Sequence, residues 1–141
     1  MITIAIADDH QQVRETWNFI LSTNSSFQVV AKCCNGQEAV DVAATQAPNV
    51  ILMDINMEPM NGIEATEIIA SLHPTVKVVG MSIHLEPVYV RRMLQAGASA
   101  YVTKNSPYEE VFEAIMKVHA GEIYLCSEVK KEMPELVNNI R

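Results

Sequence analysis

The chain has 141 residues and a formal net charge of −7, from 17 acidic and 10 basic side chains. One domain of ordinary size fits that length, and 49% hydrophobic against 19% charged residues supplies a core and excludes a disordered chain. The acidic balance disfavours non-specific nucleic-acid binding, which needs clustered Lys and Arg, and the longest apolar runs, such as Val50-Ile51-Leu52-Met53, fall far short of the roughly 20 residues of a membrane span.

Taken in chain order, the apolar pattern switches repeatedly between strand runs and helical periodicity. Residues 2–7 (ITIAIA) read as a strand, and over 10–22 Val13, Trp17 and Ile20 or Leu21 share one helical face. Residues 27–33 read as a second strand. Asn35 followed by Glu38 marks a helix start, and that helix stops before Pro48. Residues 49–53 are apolar almost throughout, as in a strand covered on both faces. Asn61 and Glu64 repeat the helix-start spacing, Ala65, Ile69 and Leu72 continue one face, and His73-Pro74 ends it. Residues 76–81 form a fourth strand. A helix is expected from Pro87 to Ala96, with Gly97 in the left-handed cap position. Residues 99–102 make a short fifth strand. Ser106-Pro107-Tyr108-Glu109 combines an N-cap, a first-turn proline and a capping box, opening a helix whose core side is Val111, Ile115 and Val118.

Such alternation implies an α/β fold: a doubly wound parallel sheet of five strands with helices on both faces. Sheets of this kind place ligands outside the carboxyl ends of the strands, where strand order reverses. Those ends carry Asp8, Asp9, Asp54, Ser82 and Lys104. The chain has four aspartates, and three of them are in this set. Each residue alone has an ordinary explanation, as a helix cap, a turn residue or a solvated lysine. Asp54 is harder to dismiss, because it follows a wholly apolar run at the mouth of a central strand, where an unpaired carboxylate is costly.

Two carboxylates about 4 Å apart repel by roughly 4 kcal/mol at an effective dielectric near 20. Such a group holds a proton or recruits a cation. Hard carboxylate donors without thiolate or imidazole suit Mg2+, which leaves positions for phosphate oxygens. Lys104 adds a point charge for a phosphoryl oxygen and Ser82 a hydroxyl donor. A carboxylate nucleophile then yields an aspartyl phosphate.

The motifs IAIADDH (4–10), ILMDINMEPMNGIEA (51–65), VVGMSIH (78–84) and GASAYVTK (97–104) resemble the receiver domain of two-component response regulators, over about residues 1–120. The resemblance, and not periodicity, implies the flavodoxin-like strand order 2-1-3-4-5. It further implies that Asp54 accepts a phosphoryl group from a phosphohistidine of a sensor histidine kinase. Asp9, Asp54 and the Asn56 carbonyl would ligate Mg2+, with Asp8 acting through a metal-bound water. Lys104 and Ser82 would hold phosphoryl oxygens, and Tyr101 would be an aromatic switch turning inward with Ser82.

Three departures stand out. Glu58 occupies the position where the family usually has proline, with Pro59 next; the unchanged loop length to Gly62 predicts a local change of path without loss of function. Asn105 follows Lys104 where many receivers have a proline after a cis bond, and a non-proline cis bond costs about 3 kcal/mol, which leaves that isomer open. Ile83 is larger than the small residue common beside Ser82, and with His84 is expected to restrict water and slow loss of the phosphoryl group.

Residues 121–141 exceed a minimal receiver. GEIYLCSEV resembles the segment leading to the helix-turn-helix domain of NarL/LuxR-type transcriptional regulators. Ser127 would cap a helix containing Val129 and Met133, interrupted by Pro134. Leu136, Val137 and Ile140 would then dock a short helix or serve self-association. A helical extension or linker toward an absent DNA-binding domain is favoured over a stand-alone receiver.

The expected function is therefore a phosphorylation-controlled signalling domain and not an enzyme, catalysing only its own phosphotransfer and slow self-dephosphorylation. Modification of Asp54 would shift a two-state equilibrium at the face of the fourth helix, fifth strand and fifth helix. Homodimerisation and transcription regulation would follow, with DNA bound only through the absent domain. A cytoplasmic location fits the odd set Cys33, Cys34 and Cys126 kept reduced, and an N-terminus without an export signal. Two rivals share parts of the pattern: a Mg2+-dependent phosphohydrolase, which would need a second acid-base residue after Asp54, and a flavin carrier, which would need a Ser-, Thr- or Gly-rich loop where Asp8-Asp9-His10 stands.

Overall fold

A computed structural model describes residues 1–83 and 85–139. Its elements are β1 (Ile2–Ala7), α1 (Gln11–Ser22), β2 (Phe27–Cys33), α2 (Gly36–Thr45), β3 (Val50–Asp54), α3 (Gly62–Leu72), β4 (Lys77–Ser82), α4 (Pro87–Ala96), β5 (Ala100–Thr103) and α5 (Tyr108–His119), then β6 (Tyr124–Leu125), α6 (Ser127–Glu132) and α7 (Pro134–Asn139). All strand pairs are parallel, in the order β2-β1-β3-β4-β5-β6. The expected order of the first five strands stands, but the sheet has six. The sixth is two residues long, too short to show any periodicity. It satisfies the open edge of β5: the Tyr124 N–H donates to the Ser99 carbonyl and the Cys126 N–H to the Tyr101 carbonyl, each at 3.0 Å.

The core is formed by the buried strands and one stripe of each helix. Val50, Ile51, Leu52 and Met53 are inaccessible on β3, the covered strand their composition predicts. Helices α2, α3 and α4 pack side by side on one face. Helices α1 and α5 lie on the other, where Phe112 of α5 meets Phe27 of β2 edge to face with centroids 5.2 Å apart.

Local chemistry sets the element ends. The Asn35 side chain accepts from the Glu38 N–H, and Asn61 with Glu64 forms a complete capping box. Gly97 ends α4 at φ 115°, the left-handed region. Strands β3, β4 and β5 each run one residue later than their apolar patterns suggest. Asp54, Ser82 and Thr103 are paired strand residues, in register with Met81 and with each other, and not loop residues.

Three local expectations fail. Ser106 does not cap α5: its hydroxyl accepts from the Thr103 N–H at 3.1 Å, closing the turn before the helix, and the helix start has no side-chain cap bond. Ser127 does not cap α6 through its side chain; its backbone N–H donates to Glu110 Oε1 instead. Leu72 is 65% exposed because α3 stops there. Pro134 interrupts the C-terminal helix as expected, by starting α7. Leu136 is buried and Val137 exposed, while Ile140 and His84 lie outside the described residues. The cis peptide bond among the described residues joins Glu58 to Pro59, so Lys104–Asn105 is trans.

Candidate functional site

The carboxyl ends of β1, β3, β4 and β5 converge on one point. Asp54 closes β3 and is 5% exposed. Its carboxylate stands 3.3 Å from Lys104 Nζ, whose side chain is 15% exposed. Lys104 also donates to Asp8 Oδ2 at 2.7 Å, across 96 positions of sequence. Three of the expected residues are thus in direct contact, on two carboxylates and one ammonium.

Electrostatics follows from this crowding. Burial, then the neighbouring charge of Asp8, pushes the Asp54 carboxyl up to about 6, with Lys104 pulling the other way. Burial also opposes the charge on Lys104, but the Asp8 hydrogen bond and the Asp54 charge outweigh it and raise its pKa. Two acids share one strong base, so negative charge is left over.

Asp9 lies on the rim, exposed to solvent, and pairs with His10 Nδ1 at 2.9 Å. The His10 backbone N–H donates to Asp8 Oδ1 at 2.9 Å, so Asp8 is held from both sides, while Asp9, partnered by the His10 ring, faces solvent. Ligand atoms of Asp8, Asp9 and His10 all lie within 4.8 Å of one another. The Asp8 and Asp9 carboxylates are hard oxygen donors with surplus negative charge, which fits Mg2+, although the third member of the cluster, His10, is an imidazole. Asn56 is exposed, two residues beyond Asp54.

Ser82 is buried at the end of β4, and its carbonyl accepts from the Lys104 N–H at 2.8 Å. A side-chain hydrogen bond links it to Tyr101, which is wholly buried; burial raises that phenol to about 12 and the Ser82 bond partly offsets the shift. Tyr101 is therefore turned inward here. Ile83, next along, is 56% exposed.

Two contributors escaped the sequence. Arg14 donates to the Asp8 carbonyl at 2.8 Å, fixing the turn after β1 from one helical turn further along α1. The sequence signal available was His10-to-Arg14 spacing on one helix face. Glu128, far along the chain, accepts from the Thr103 hydroxyl beside Lys104, and no local pattern signals that contact. A groove of about 490 Å³ opens next to Lys104, lined by Gln12, Thr16, Trp17, Ser106 and Tyr108 among others.

A family profile described as the response regulator receiver domain matches residues 4–116. The chain belongs to the response-regulator receiver family. This receiver is 41% identical over 141 residues to the transcriptional regulatory protein DegU of Brevibacillus brevis, covering 97% of the chain and 60% of DegU. It is 35% identical over 133 residues to the response regulator GacA of Pseudomonas viridiflava, covering 94% of the chain and 62% of GacA. The receiver thus spans 60% to 62% of the length of these two relatives. A LuxR-family two-component response regulator from an Aurantimonas species superposes with a TM-score of 0.90 at 28% identity, covering 94% of this chain and 95% of that one. The NarL signal receiver domain of Mycobacterium tuberculosis superposes at 0.82 with 29% identity, covering 86% of this chain and 98% of that one. The receiver family is a signalling family and not one of classical enzymes. Among the described residues no helix is long and apolar enough to cross a membrane.

Proposed function

We propose that Asp54 is the phospho-acceptor of this receiver and that its phosphorylation controls an attached output. One observation carries the reading: a buried carboxylate, ending a central strand, faces a lysine ammonium at 3.3 Å with a second acid on the same ammonium. An Asp54 oxygen attacks phosphorus of a phosphohistidine on a sensor histidine kinase. The new P–O bond replaces the P–N bond, whose electron pair returns to the imidazole. Lys104 takes one phosphoryl oxygen and the Ser82 hydroxyl another, in a site already shielded from water. Asp9, Asp54 and the Asn56 carbonyl would hold Mg2+, with Asp8 supporting the ion less directly, and the bound ion would supply positive charge against the phosphoryl oxygens. Slow self-dephosphorylation is the only other chemistry assigned to the domain.

Residues 1–120 form the receiver proper and 121–141 an extension toward a further domain. The name of DegU, a transcriptional regulatory protein, supports transcription regulation as the output, which we place in a DNA-binding domain outside this chain, with pairing of two receivers on phosphorylation and a cytoplasmic location. Tyr101 serves as the switch that reports on Ser82. Incubation with Mg2+ and acetyl phosphate, read by intact mass, should add one phosphoryl group that is lost in Asp54→Asn. Unmodified wild type, or a modified Asp54→Asn chain, overturns the assignment.

A further inference from the structure

The turn that presents Lys104 is tied to the C-terminal extension by a directed relay. The Ser106 N–H donates to the Thr103 carbonyl at 2.9 Å, and the Thr103 N–H donates to Ser106 Oγ at 3.1 Å. The two hydroxyls are 3.1 Å apart. Thr103 Oγ1 is also 2.8 Å from Glu128 Oε1 on α6. A carboxylate only accepts, so the Thr103 hydroxyl donates outward to Glu128 and the Ser106 hydroxyl donates to Thr103. Thr103 is 1% exposed, so Glu128 is the outer anchor of a chain that runs inward to the Lys104 turn.

Helix α6 is not loosely attached. The backbone bond from Cys126 to Tyr101 and the bond from Ser127 to Glu110 fix its start. Val129 and Met133 are buried, and Glu135 of α7 pairs with Arg91 of α4 at 3.2 Å. One end of this arrangement touches the strand of Tyr101, and the other touches α4. The extension therefore lies across part of the face expected to respond to phosphorylation.

We propose that Glu128 is a positioning residue for phosphoryl transfer to Asp54, acting through Thr103 on the turn that holds Lys104, so that α6 docking and occupation of the phosphoryl site support each other. The inference rests on Asp54 being the phospho-acceptor. Reciprocity is obligatory: if docking α6 steadies Lys104 for a phosphoryl oxygen, a phosphoryl group that engages Lys104 steadies α6.

The test uses the full chain with Mg2+. Phosphorylation by acetyl phosphate, followed by intact mass, should slow about fivefold in Glu128→Ala and in Thr103→Val, the low end for coupled sites. Mg2+ affinity by calorimetry should not change. Glu128→Gln should behave as wild type, because its amide oxygen still accepts from Thr103. The double variant Thr103→Val with Glu128→Ala should be no slower than either single one. Beryllofluoride should reduce amide exchange over residues 127–132 in wild type and not in Glu128→Ala. Wild-type rates in both single variants, a slow Glu128→Gln, or an exchange pattern in wild type indifferent to beryllofluoride would each overturn the proposal. Where Glu128→Ala releases α6 altogether, Thr103→Val, which leaves the extension's own residues intact, decides. A wild-type chain that takes up no phosphoryl group overturns the Asp54 reading itself, whereas a phosphorylated wild type with unaffected variants overturns only the role of Glu128.

Discussion

Asp54 sits between two opposing pressures, burial that favours its proton and Lys104 that favours its charge, and burial prevails. Its folded pKa of about 6 lies above the ordinary 3.8. The folded state therefore binds that proton more tightly than the unfolded chain, and stability from this group falls as pH rises from about 4 through 6. In Mg2+-free buffer, Asp54→Asn should stabilise the protein by about 2 kcal/mol at pH 7.5 and by almost nothing at pH 4. Urea denaturation at the two pH values checks this; an equal gain at both would show that the carboxylate charge is not the cause. The cysteines give a second residue-scale expectation. Cys33 and Cys126 are buried and Cys34 exposed, and burial with the nearby Glu38 pushes Cys33 up to about 12. Glu38 also raises the Cys34 thiol, through a hydrogen bond. A disulfide reagent at pH 8 should thus label Cys34 alone in the native protein, and slowly, and all three thiols in urea. The candidates Asp8, Asp54 and Lys104 were legible because each stands at the end of a strand-like run. The hydrogen-bond role of Arg14 was not, because a helix-surface arginine carries no mark of the carbonyl it meets.

At the scale of elements, caps were readable and turns were not. Asn35 and Asn61 act within three residues of themselves, so their spacing contains the whole interaction. Ser106 had the same spacing, but the end of β5 needed an acceptor and took its hydroxyl. Competition of this kind is invisible until the strand is placed. The start of α3 offers a sharper test. A Cβ on Gly62 would lie 2.1 Å from the Asp54 carbonyl oxygen, a backbone atom that cannot step aside. Gly62→Ala should cost about 3 kcal/mol and slow phosphorylation by displacing Asp54. Gly121 has open space but a φ of 89°. Its alanine variant should cost about 1 kcal/mol with phosphorylation unchanged. Equal losses in the two variants, by thermal denaturation, would remove the case for close packing at Gly62.

For the whole molecule, alternation of periods two and 3.6 made the parallel sheet legible, and the handedness of crossovers put helices on both faces. The helix after the fifth crossover and its break at Pro134 were legible. What the sequence left dark was the sixth strand, since Tyr124 and Leu125 have no period and their partners lie more than twenty residues back. Those residues complete the core with Val129, Met133 and Leu136. A chain ending at residue 120 should lose about 3 kcal/mol, once the ordering entropy of the missing segment is set against its apolar burial. It should also self-associate through the bared edge of β5. Urea titration and sedimentation read the two effects, and an unchanged denaturation midpoint would mean the extension merely rests on the surface. The contact between Asp8 and Lys104 spans 96 positions and closes only after the central strands have assembled between them. A nascent chain still threading from the ribosome has its acids but not its ammonium. On the proposed roles of Asp54 and Lys104, a phosphoryl group is therefore held only once the chain has been made past residue 104 and folded through β5.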